Sequence, residues 1–121
     1  QVIGHSGSAQ FPYDYERVIP EFGHNGKLVE LNEATFSNRR SSVENCVQIM
    51  QLCKRHAVPI VVNTDSHFSA RVGCFENSLR LLEELDFPEE LVVNSSVERF
   101  KAYLRKYTQV YQDPLLELNL L

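Results

Sequence analysis

Three side chains, those of His5, Asp65 and His67, are of the types that bind metal ions in enzymes. Imidazole nitrogens and carboxylate oxygens are the ligands expected for zinc, manganese or iron. One residue separates Asp65 from His67, a spacing at which a strand end aims both side chains the same way. His5 lies in the segment GHSG, at the end of another predicted strand. The alternative for Asp65 and His67 is an ion pair within a loop, or a helix cap.

Two neighbouring arginines could bind a phosphate group near these residues. Arg39 and Arg40 follow the second predicted strand, which ends near Asn32. A guanidinium at that place can hold a phosphate through paired hydrogen bonds, and solvation at the surface is the alternative. Serine hydrolase chemistry, ATP binding and dinucleotide binding lack support, because the sequence has no GxSxG, Walker A or GxGxxG pattern.

The hydrophobic pattern predicts four strands that alternate with four helices. The predicted strands are 2–4, 27–33, 59–63 and 91–94, and the predicted helices are 12–22, 42–57, 74–85 and 95–107. Capping-box patterns, Ser41 with Glu44 and Ser95 with Glu98, head the second and fourth helices. Pro20 predicts a break or kink in the first helix.

The spacing of the strands is that of βαβ units, which predicts a parallel sheet with right-handed crossovers. A barrel of eight such units has roughly 250 residues, so four units amount to about half a barrel. An open doubly wound sheet is the alternative architecture. In either fold the carboxyl ends of the strands meet at one edge, where ligands bind. We therefore expect one site that contains His5, Asn32, Asp65, His67 and Asn94.

Half a barrel leaves a sheet edge whose backbone groups have no partners. We expect the chain to need either the missing half of the same domain or a second copy of itself. The sequence opens on Gln1 rather than Met, which we interpret as the start of a piece of a longer protein. The apolar segment LLELNLL after Pro114 receives no assignment.

The composition excludes several classes of protein. Of the 121 residues, 43% are hydrophobic and 23% are charged, as in an ordinary globular domain. Twelve Lys and Arg against 16 Asp and Glu give a net charge of −4, which disfavours binding to nucleic acid. No segment approaches the roughly 20 apolar residues of a membrane-spanning helix. Cys46, Cys53 and Cys74 lack a CxxC spacing and predict reduced thiols in the cytoplasm, the first two of them in the core.

Four segments of the sequence together resemble one family of hydrolases. They are IGHSGSAQFPYDYERVI, VELNEATF, RRSSVENC and NTDSHFSARVGCFENSLRLLEELDFPEELVVN. In this order they resemble the C-terminal half of a PHP (polymerase and histidinol phosphatase) domain, and within that family the YcdX-like branch of phosphatases. The resemblance covers nearly the whole chain, so we expect residues 1–121 to be the C-terminal part of a single PHP domain.

The resemblance implies a fold and a metal centre. The family fold is a distorted (β/α)7 TIM-like barrel with three metal ions, usually zinc and sometimes manganese or iron, and its members hydrolyse phosphate esters. By motif, His5, Asp65 and His67 match metal ligands of the family. Arg39 and Asn32 match positions suited to binding the substrate phosphate or to supporting the ligands.

The implied reaction is hydrolysis of a phosphomonoester by a metal-bound water that attacks phosphorus. Asp65 and His67 are then the expected catalytic residues, with Asp65 as both ligand and proton acceptor. Ser6 stands where the family usually has proline, a change that removes no ligand. The other ligands of the family's metal centre, among them an HxH pair, have no counterpart here, so we expect the chain alone to be inactive.

A non-catalytic α/β module for binding or regulation, which has lost its metal centre, is the alternative function. Against it, all three matched ligand positions are filled. A nucleic acid end as substrate, as in polymerase-associated PHP domains, is disfavoured by the acidic balance. The expected partners are a small phosphorylated substrate and either the missing N-terminal half or a second copy, with neither a membrane nor nucleic acid.

Overall fold

Three strands and four long helices follow one another in the order that the hydrophobic pattern predicts. The structure, a computed structural model, describes residues 1–109. Its strands are β1 (Val2–Ile3), β2 (Leu28–Asn32) and β3 (Ile60–Asn63). Its α-helices are α1 (Tyr15–His24), α2 (Thr35–Asn38), α3 (Val43–Arg55), α4 (Glu76–Glu84) and α5 (Val97–Tyr107). Short 3-10 turns lie at Arg40–Ser42, Ser69–Arg71 and Glu89–Leu91. The unassigned segment after Pro114 lies outside the described residues.

The three strands form one parallel sheet in the order β1-β2-β3. Val2 pairs with Leu28, and Val29 pairs with Ile60. Helices connect the strands, as a parallel arrangement requires. The predicted α/β class with parallel βα repeats is therefore confirmed, and the carboxyl ends of all three strands lie at the same edge.

The prediction of a fourth strand over 91–94 is wrong, because this segment forms a single backbone bridge and no strand. Val92 makes one parallel bridge to Ile60. Past that bridge the side chain of Asn94 takes the place of a strand: its Oδ1 accepts from the Val62 N–H at 3.0 Å, and its Nδ2 donates to the Val62 carbonyl at 2.7 Å. Asn94 thus supports the edge of β3, and its amide is engaged there.

The main core lies between the sheet and helices α1, α3 and α4. Val29 and Leu31 of β2 belong to it, together with the predicted core residues Cys46 and Cys53 of α3. The remaining fully or nearly buried members are Tyr15, Ile19, Ile49, Met50, Leu52, Val58, Ile60, Val62, Leu81 and Leu82. Residues 28 and 61 point to the opposite face, because side chains alternate along a strand.

Helix α5 packs on that opposite face, where Tyr103 joins Leu28, Val61 and Val93 in a second cluster. The Tyr103 hydroxyl donates to the Gly26 carbonyl at 2.6 Å. The apolar side chains of α5 are only partly covered, because Val97 is 63% exposed.

The apolar spacing that predicts α4 runs through Phe75, Leu79, Leu82 and Leu85. Leu82 is buried, and Phe75 and Leu85 pack against the core, so three of the four lie on the expected face. Leu79 departs from it and is 54% exposed.

Neither predicted capping box forms, and each cap position lies one residue further along the chain. In α5 the side chain of Ser96, and not that of Ser95, accepts from the Arg99 N–H at 3.2 Å. Before α3 a 3-10 turn brings Ser42 to the cap position, but its hydroxyl accepts from the Ala9 N–H at 3.2 Å instead of from the helix. The loop after β1 is thereby attached to the beginning of α3.

Helix α1 begins after Asp14, whose carboxylate accepts from the Arg17 N–H at 3.2 Å. It continues through Pro20 to His24, so the predicted break is wrong. Within residues 1–109, no helix combines the length and the apolar character that crossing a membrane would need.

Glu33, the residue after β2, caps helix α4. Its Oε2 accepts from the Ser78 N–H at 2.8 Å and from the Ser78 hydroxyl at 2.6 Å. Its Oε1 accepts from the N–H and the side-chain amide of Asn77, at 3.1 and 2.9 Å. Burial raises the pKa of Glu33, but the hydrogen bonds from Ser78 and Asn77 outweigh that effect, so the pKa is lowered.

We expect Glu33→Gln to lower the free energy of unfolding by about 1–3 kcal/mol at neutral pH, because an amide leaves two of these donors facing an NH2 group. The lowered pKa in the folded state means that the carboxylate stabilises the fold above its unfolded pKa, and that this contribution is lost as the pH falls through the folded pKa. The free energy of unfolding, measured by urea denaturation over a pH series, therefore falls less steeply on the acid side for Glu33→Gln than for the unmutated chain. Parallel curves for the two proteins would contradict this. The exposed Glu16, ion-paired with Arg55, provides the control Glu16→Gln.

Two glycines with positive φ offer a matched pair of substitutions. A Cβ at Gly26, where φ is +63°, would overlap the ring of Tyr107, whereas a Cβ at Gly73, where φ is +81°, would meet nothing within 4 Å. Both alanine variants acquire the strain of a left-handed backbone, about 1–2 kcal/mol. We expect Gly26→Ala to be less stable than Gly73→Ala by a further 1–3 kcal/mol or so, from the steric overlap. Equal midpoints in thermal denaturation would refute that contact.

Candidate functional site

Polar residues gather at the carboxyl-end edge of the sheet. His5 follows β1, Asn32 is the last residue of β2, and Asp65 comes two residues after β3. These elements are neighbours because β2 lies between β1 and β3. The structure thus brings three of the predicted site residues to one place.

The side-chain amide of Asn32 connects the other two. Asn32 is 2% exposed, and its Oδ1 accepts from the Ala34 N–H at 3.0 Å. Its Nδ2 donates to Oδ2 of Asp65 at 3.2 Å and lies 3.4 Å from Nδ1 of His5. The bond from Ala34 fixes which way the amide faces, so the NH2 group faces both the carboxylate and the imidazole.

His5 and Asp65 both have a left-handed backbone, with φ of 51° and 52°. Residues other than glycine rarely adopt this conformation, which costs about 1–3 kcal/mol and persists only where the surroundings enforce it. Both residues lie two positions after the end of a strand, at the edge where ligands bind in parallel α/β folds. Two of the four non-glycine residues with a positive φ in residues 1–109 are therefore at the candidate site, and the other two, Ala57 and Asp86, follow helices.

Arg39 completes the cluster from the loop between α2 and the turn Arg40–Ser42. Its Nη2 lies 3.3 Å from Oδ2 of Asp65, in a partly exposed ion pair. The other terminal nitrogen, Nη1, is buried and has no hydrogen-bond partner among residues 1–109. The hydrogen bond from Asn32 lowers the pKa of Asp65 most, and the bond and charge of Arg39 lower it further, against a smaller effect of burial.

His67 lies apart from this cluster. Its Nδ1 is 2.9 Å from the Asp65 carbonyl oxygen, and its ring is exposed. It lines a polar cavity of about 640 Å³ together with residues that include Glu33, Phe68 and Arg71. The structure therefore brings together His5, Asn32, Asp65 and Arg39, and places His67 on the adjoining cavity.

A cavity of only about 10 Å³, which is room for a single water molecule, lies beside His5, Asn32 and Arg39. Ser6 and Glu30 also line it, whereas Asp65 does not. A phosphate group is too large for this space, so it could reach Arg39 only from the partly exposed side of that side chain, or after the ion pair between Arg39 and Asp65 separates.

The donor atoms fit a metal ion only in part. Within residues 1–109, no group of three or more His, Cys, Asp or Glu side chains is arranged to hold a metal ion. Oδ1 of Asp65 and Nε2 of His67 have no hydrogen-bond partner in the described part of the chain. A histidine that donates Nδ1–H to a carbonyl keeps Nε2 available as a ligand, which is the usual arrangement beside a metal. Asp65 and His67 can therefore contribute to a metal site that needs further ligands.

Sequence reasoning missed Glu30, the central residue of β2. Its Oε2 accepts from the His5 N–H at 2.9 Å, and its Oε1 accepts from Nδ2 of Asn63 at 2.9 Å. A glutamate inside a strand that is otherwise buried was the available signal, because Glu seldom lies in a sheet interior without a partner.

Proteins similar to this chain include several named "Probable phosphatase". That of Acetivibrio thermocellus is 46% identical over 104 residues, which are 86% of this chain and 43% of that protein. That of Caldicellulosiruptor saccharolyticus is 39% identical over 103 residues, 85% of this chain and 43% of the relative. A third, from Clostridium botulinum strain Hall, is 34% identical over 119 residues, 98% of this chain and 47% of the relative. The chain spans less than half the length of these relatives, and no family model matches it.

The ion pair at the centre of the cluster can be tested by titration. We expect Arg39→Ala to raise the pKa of Asp65 towards its ordinary value of 3.8, because a hydrogen bond and a positive charge are lost. Asn32→Ala should raise it as well, and by more. Carboxyl carbon shifts in an NMR pH titration measure both changes. The exposed neighbour provides the control Arg40→Ala, and an equal shift in that variant would contradict the pairing.

Proposed function

We propose that this chain supplies part of the active site of a metal-dependent phosphomonoesterase of the PHP type. The observation that carries the proposal is the convergence of His5, Asp65 and Arg39 at the carboxyl-end edge of a parallel sheet. Ligands for a cation and a guanidinium for an anion are then adjacent, which is what hydrolysis of a phosphate ester needs. The names of the similar proteins support the same class of reaction.

Asp65, His67 and His5 are the residues that would hold the metal, zinc in the first instance and otherwise manganese or iron. A metal ion bound there would supply an acidified water and would neutralise charge on the phosphoryl oxygens. Asp65 enters the site ionised, because its pKa is lowered by Asn32 and Arg39. Its Oδ1 is the atom available to a cation or to a proton from the attacking water, since Oδ2 is engaged by both neighbours.

Arg39 binds the phosphate of the substrate in this proposal. Nη2 donates to Asp65, and Nη1 is buried without a partner in residues 1–109, so the guanidinium can bind a phosphate after its ion pair with Asp65 separates. Asn32 has its oxygen and its nitrogen already engaged, and it therefore acts by orienting Asp65 and His5. The substrate is a small phosphorylated molecule whose remaining part occupies the polar cavity beside His67.

Further ligands must come from another polypeptide segment, because the described residues hold no complete group of three. We propose that the rest of the same domain provides them, or else a second copy of this chain. On its own the chain is then inactive. A module that only binds a partner would need no such completion, which is how the two functions are distinguished.

A chimaera tests the proposal directly. This chain would replace the matching 104 residues of the Acetivibrio thermocellus relative, so that the rest of that protein supplies the missing part. We expect hydrolysis of p-nitrophenyl phosphate together with stoichiometric bound metal, and neither for the 121-residue chain alone. A chimaera that is folded but binds no metal and has no activity would support the non-catalytic module instead.

Substitutions in the chimaera assign the roles. Asp65→Ala and His67→Ala should lower kcat by roughly 100-fold or more and reduce the metal content, as expected for lost ligands. Arg39→Ala should raise KM with the metal content unchanged, because it removes a phosphate contact. Arg40→Ala is the control for a neighbouring arginine. An Asp65→Ala chimaera with full turnover would rule out the assigned site.

A further inference from the structure

Glu30 is a charged residue at a place where a sheet usually carries apolar side chains. It lies between Leu28 and Asn32 on the same face of β2, and these two neighbours are 1% and 2% exposed. Strands β1 and β3 flank it on either side. The Glu30 side chain is itself half-buried, so its carboxylate loses part of its hydration, and hydrogen bonds compensate for that loss.

Both oxygens of the carboxylate are compensated, each by a different strand. Oε2 accepts from the His5 backbone N–H beyond β1, and Oε1 accepts from the Asn63 side chain at the end of β3, both at 2.9 Å. The carboxylate therefore bridges the ends of both neighbouring strands, directly below the candidate site.

The bond to His5 acts on a residue in a strained conformation. His5 has a φ of 51°, and its carbonyl accepts from the Ser8 N–H at 2.9 Å in the turn that follows. The same loop is attached to α3 by the bond from Asn45 Nδ2 to the Gly7 carbonyl, at 3.1 Å. The left-handed backbone sets where the His5 ring points, so the group that holds this backbone also directs the ring to Asn32.

We propose that Glu30 is a positioning residue for the site. Its carboxylate holds the backbone of His5 in the left-handed conformation, and so keeps Nδ1 of the imidazole against the Asn32 amide. The role of this contact in catalysis rests on the proposed function. The hydrogen bond that holds the His5 backbone, however, is a property of the chain without metal or substrate. The alternative is that Glu30 only ties the strands together through Asn63.

The test follows His5 itself, in the 121-residue chain labelled with ¹⁵N at histidine. Where Nδ1 accepts from Asn32, the proton of the neutral ring is on Nε2, and ring ¹⁵N shifts at a pH above the histidine range report this tautomer. Exchange of the His5 amide proton reports the bond to Glu30. The variants are Glu30→Met, which keeps the length of the side chain without either acceptor, and Asn63→Ala, which removes only the second bond.

We expect Glu30→Met to accelerate exchange of the His5 amide by about tenfold or more, because one hydrogen bond to a charged group is lost. The same variant should reduce the excess of the Nε2–H tautomer of His5. Asn63→Ala should leave both properties of His5 unchanged. A folded Glu30→Met chain with unaltered amide exchange and tautomer would overturn the proposal. Equal changes in both variants would overturn it too, in favour of the strand tie. If Glu30→Met does not fold, Glu30→Leu, which also lacks both acceptors, decides in the same way.

A second readout separates this inference from the proposed function. In the chimaera, Zn²⁺ would take the lone pair on Nδ1 of His5 in place of the Asn32 amide, because Nε2 carries the proton in this tautomer. Glu30→Met should therefore weaken the binding of Zn²⁺ by roughly 10–100-fold, as loss of a group that orients a ligand does. An unmutated chimaera that binds no zinc would refute the metal site but leave the His5 measurement valid. Zinc affinity unchanged by Glu30→Met, in a chimaera that does bind zinc, would refute the positioning role.

Discussion

The candidate site depends on one buried amide, that of Asn32. A buried side-chain amide needs hydrogen-bond partners for its oxygen and its NH2 group. Leaving these groups unpaired costs as much free energy as several surface contacts contribute. The Ala34 N–H donates to the oxygen, and within residues 1–109 the NH2 group has only Asp65 and His5 as acceptors. The two loops that carry these residues have left-handed turns. The contacts that both loops make to the Asn32 amide therefore offset the strain of their left-handed residues. Neither loop alone would satisfy this amide.

Strand β2 and the residue after it carry two glutamates whose roles differ because their surroundings differ. Glu33 faces the first turn of α4, where free N–H groups and the helix dipole favour a carboxylate. Glu30 faces a loop and a neighbouring strand, and it holds one group from each. The first attaches a helix to the sheet, whereas the second acts on the residue beside the Asn32 amide. Composition does not distinguish the two, because both are acids. Their odd spacing places them in opposite phases of the strand alternation, but it does not show what either carboxylate contacts.

The regular elements could be predicted because their apolar periods extend over several residues, as in α3 and β3. Features decided by one residue could not. Ser96 caps α5 instead of Ser95 because the cap depends on which hydroxyl meets a free N–H. The strand expected at 91–94 ends after one bridge, because the Asn94 side chain satisfies the Val62 backbone before a second strand residue can. A hydrophobic pattern does not show where a side chain makes the hydrogen bonds that a neighbouring strand would otherwise make.

The candidate site was predictable to the extent that strand ends determine it. His5, Asn32 and Asp65 converge because the sheet is parallel, and Arg39 joins them because its loop leaves β2 at the same edge. His67 departs from the expectation for a physical reason. Alternation along a strand places residues two apart on one side, but a φ of 52° at Asp65 turns the chain before His67 is reached. The turn divides the pair: the carboxylate faces the Asn32 amide and the Arg39 guanidinium, while the imidazole faces the larger polar cavity. A catalytic centre built on both residues would therefore span the boundary between the cluster and that cavity, with the phosphate at the cluster and the rest of the substrate beside His67.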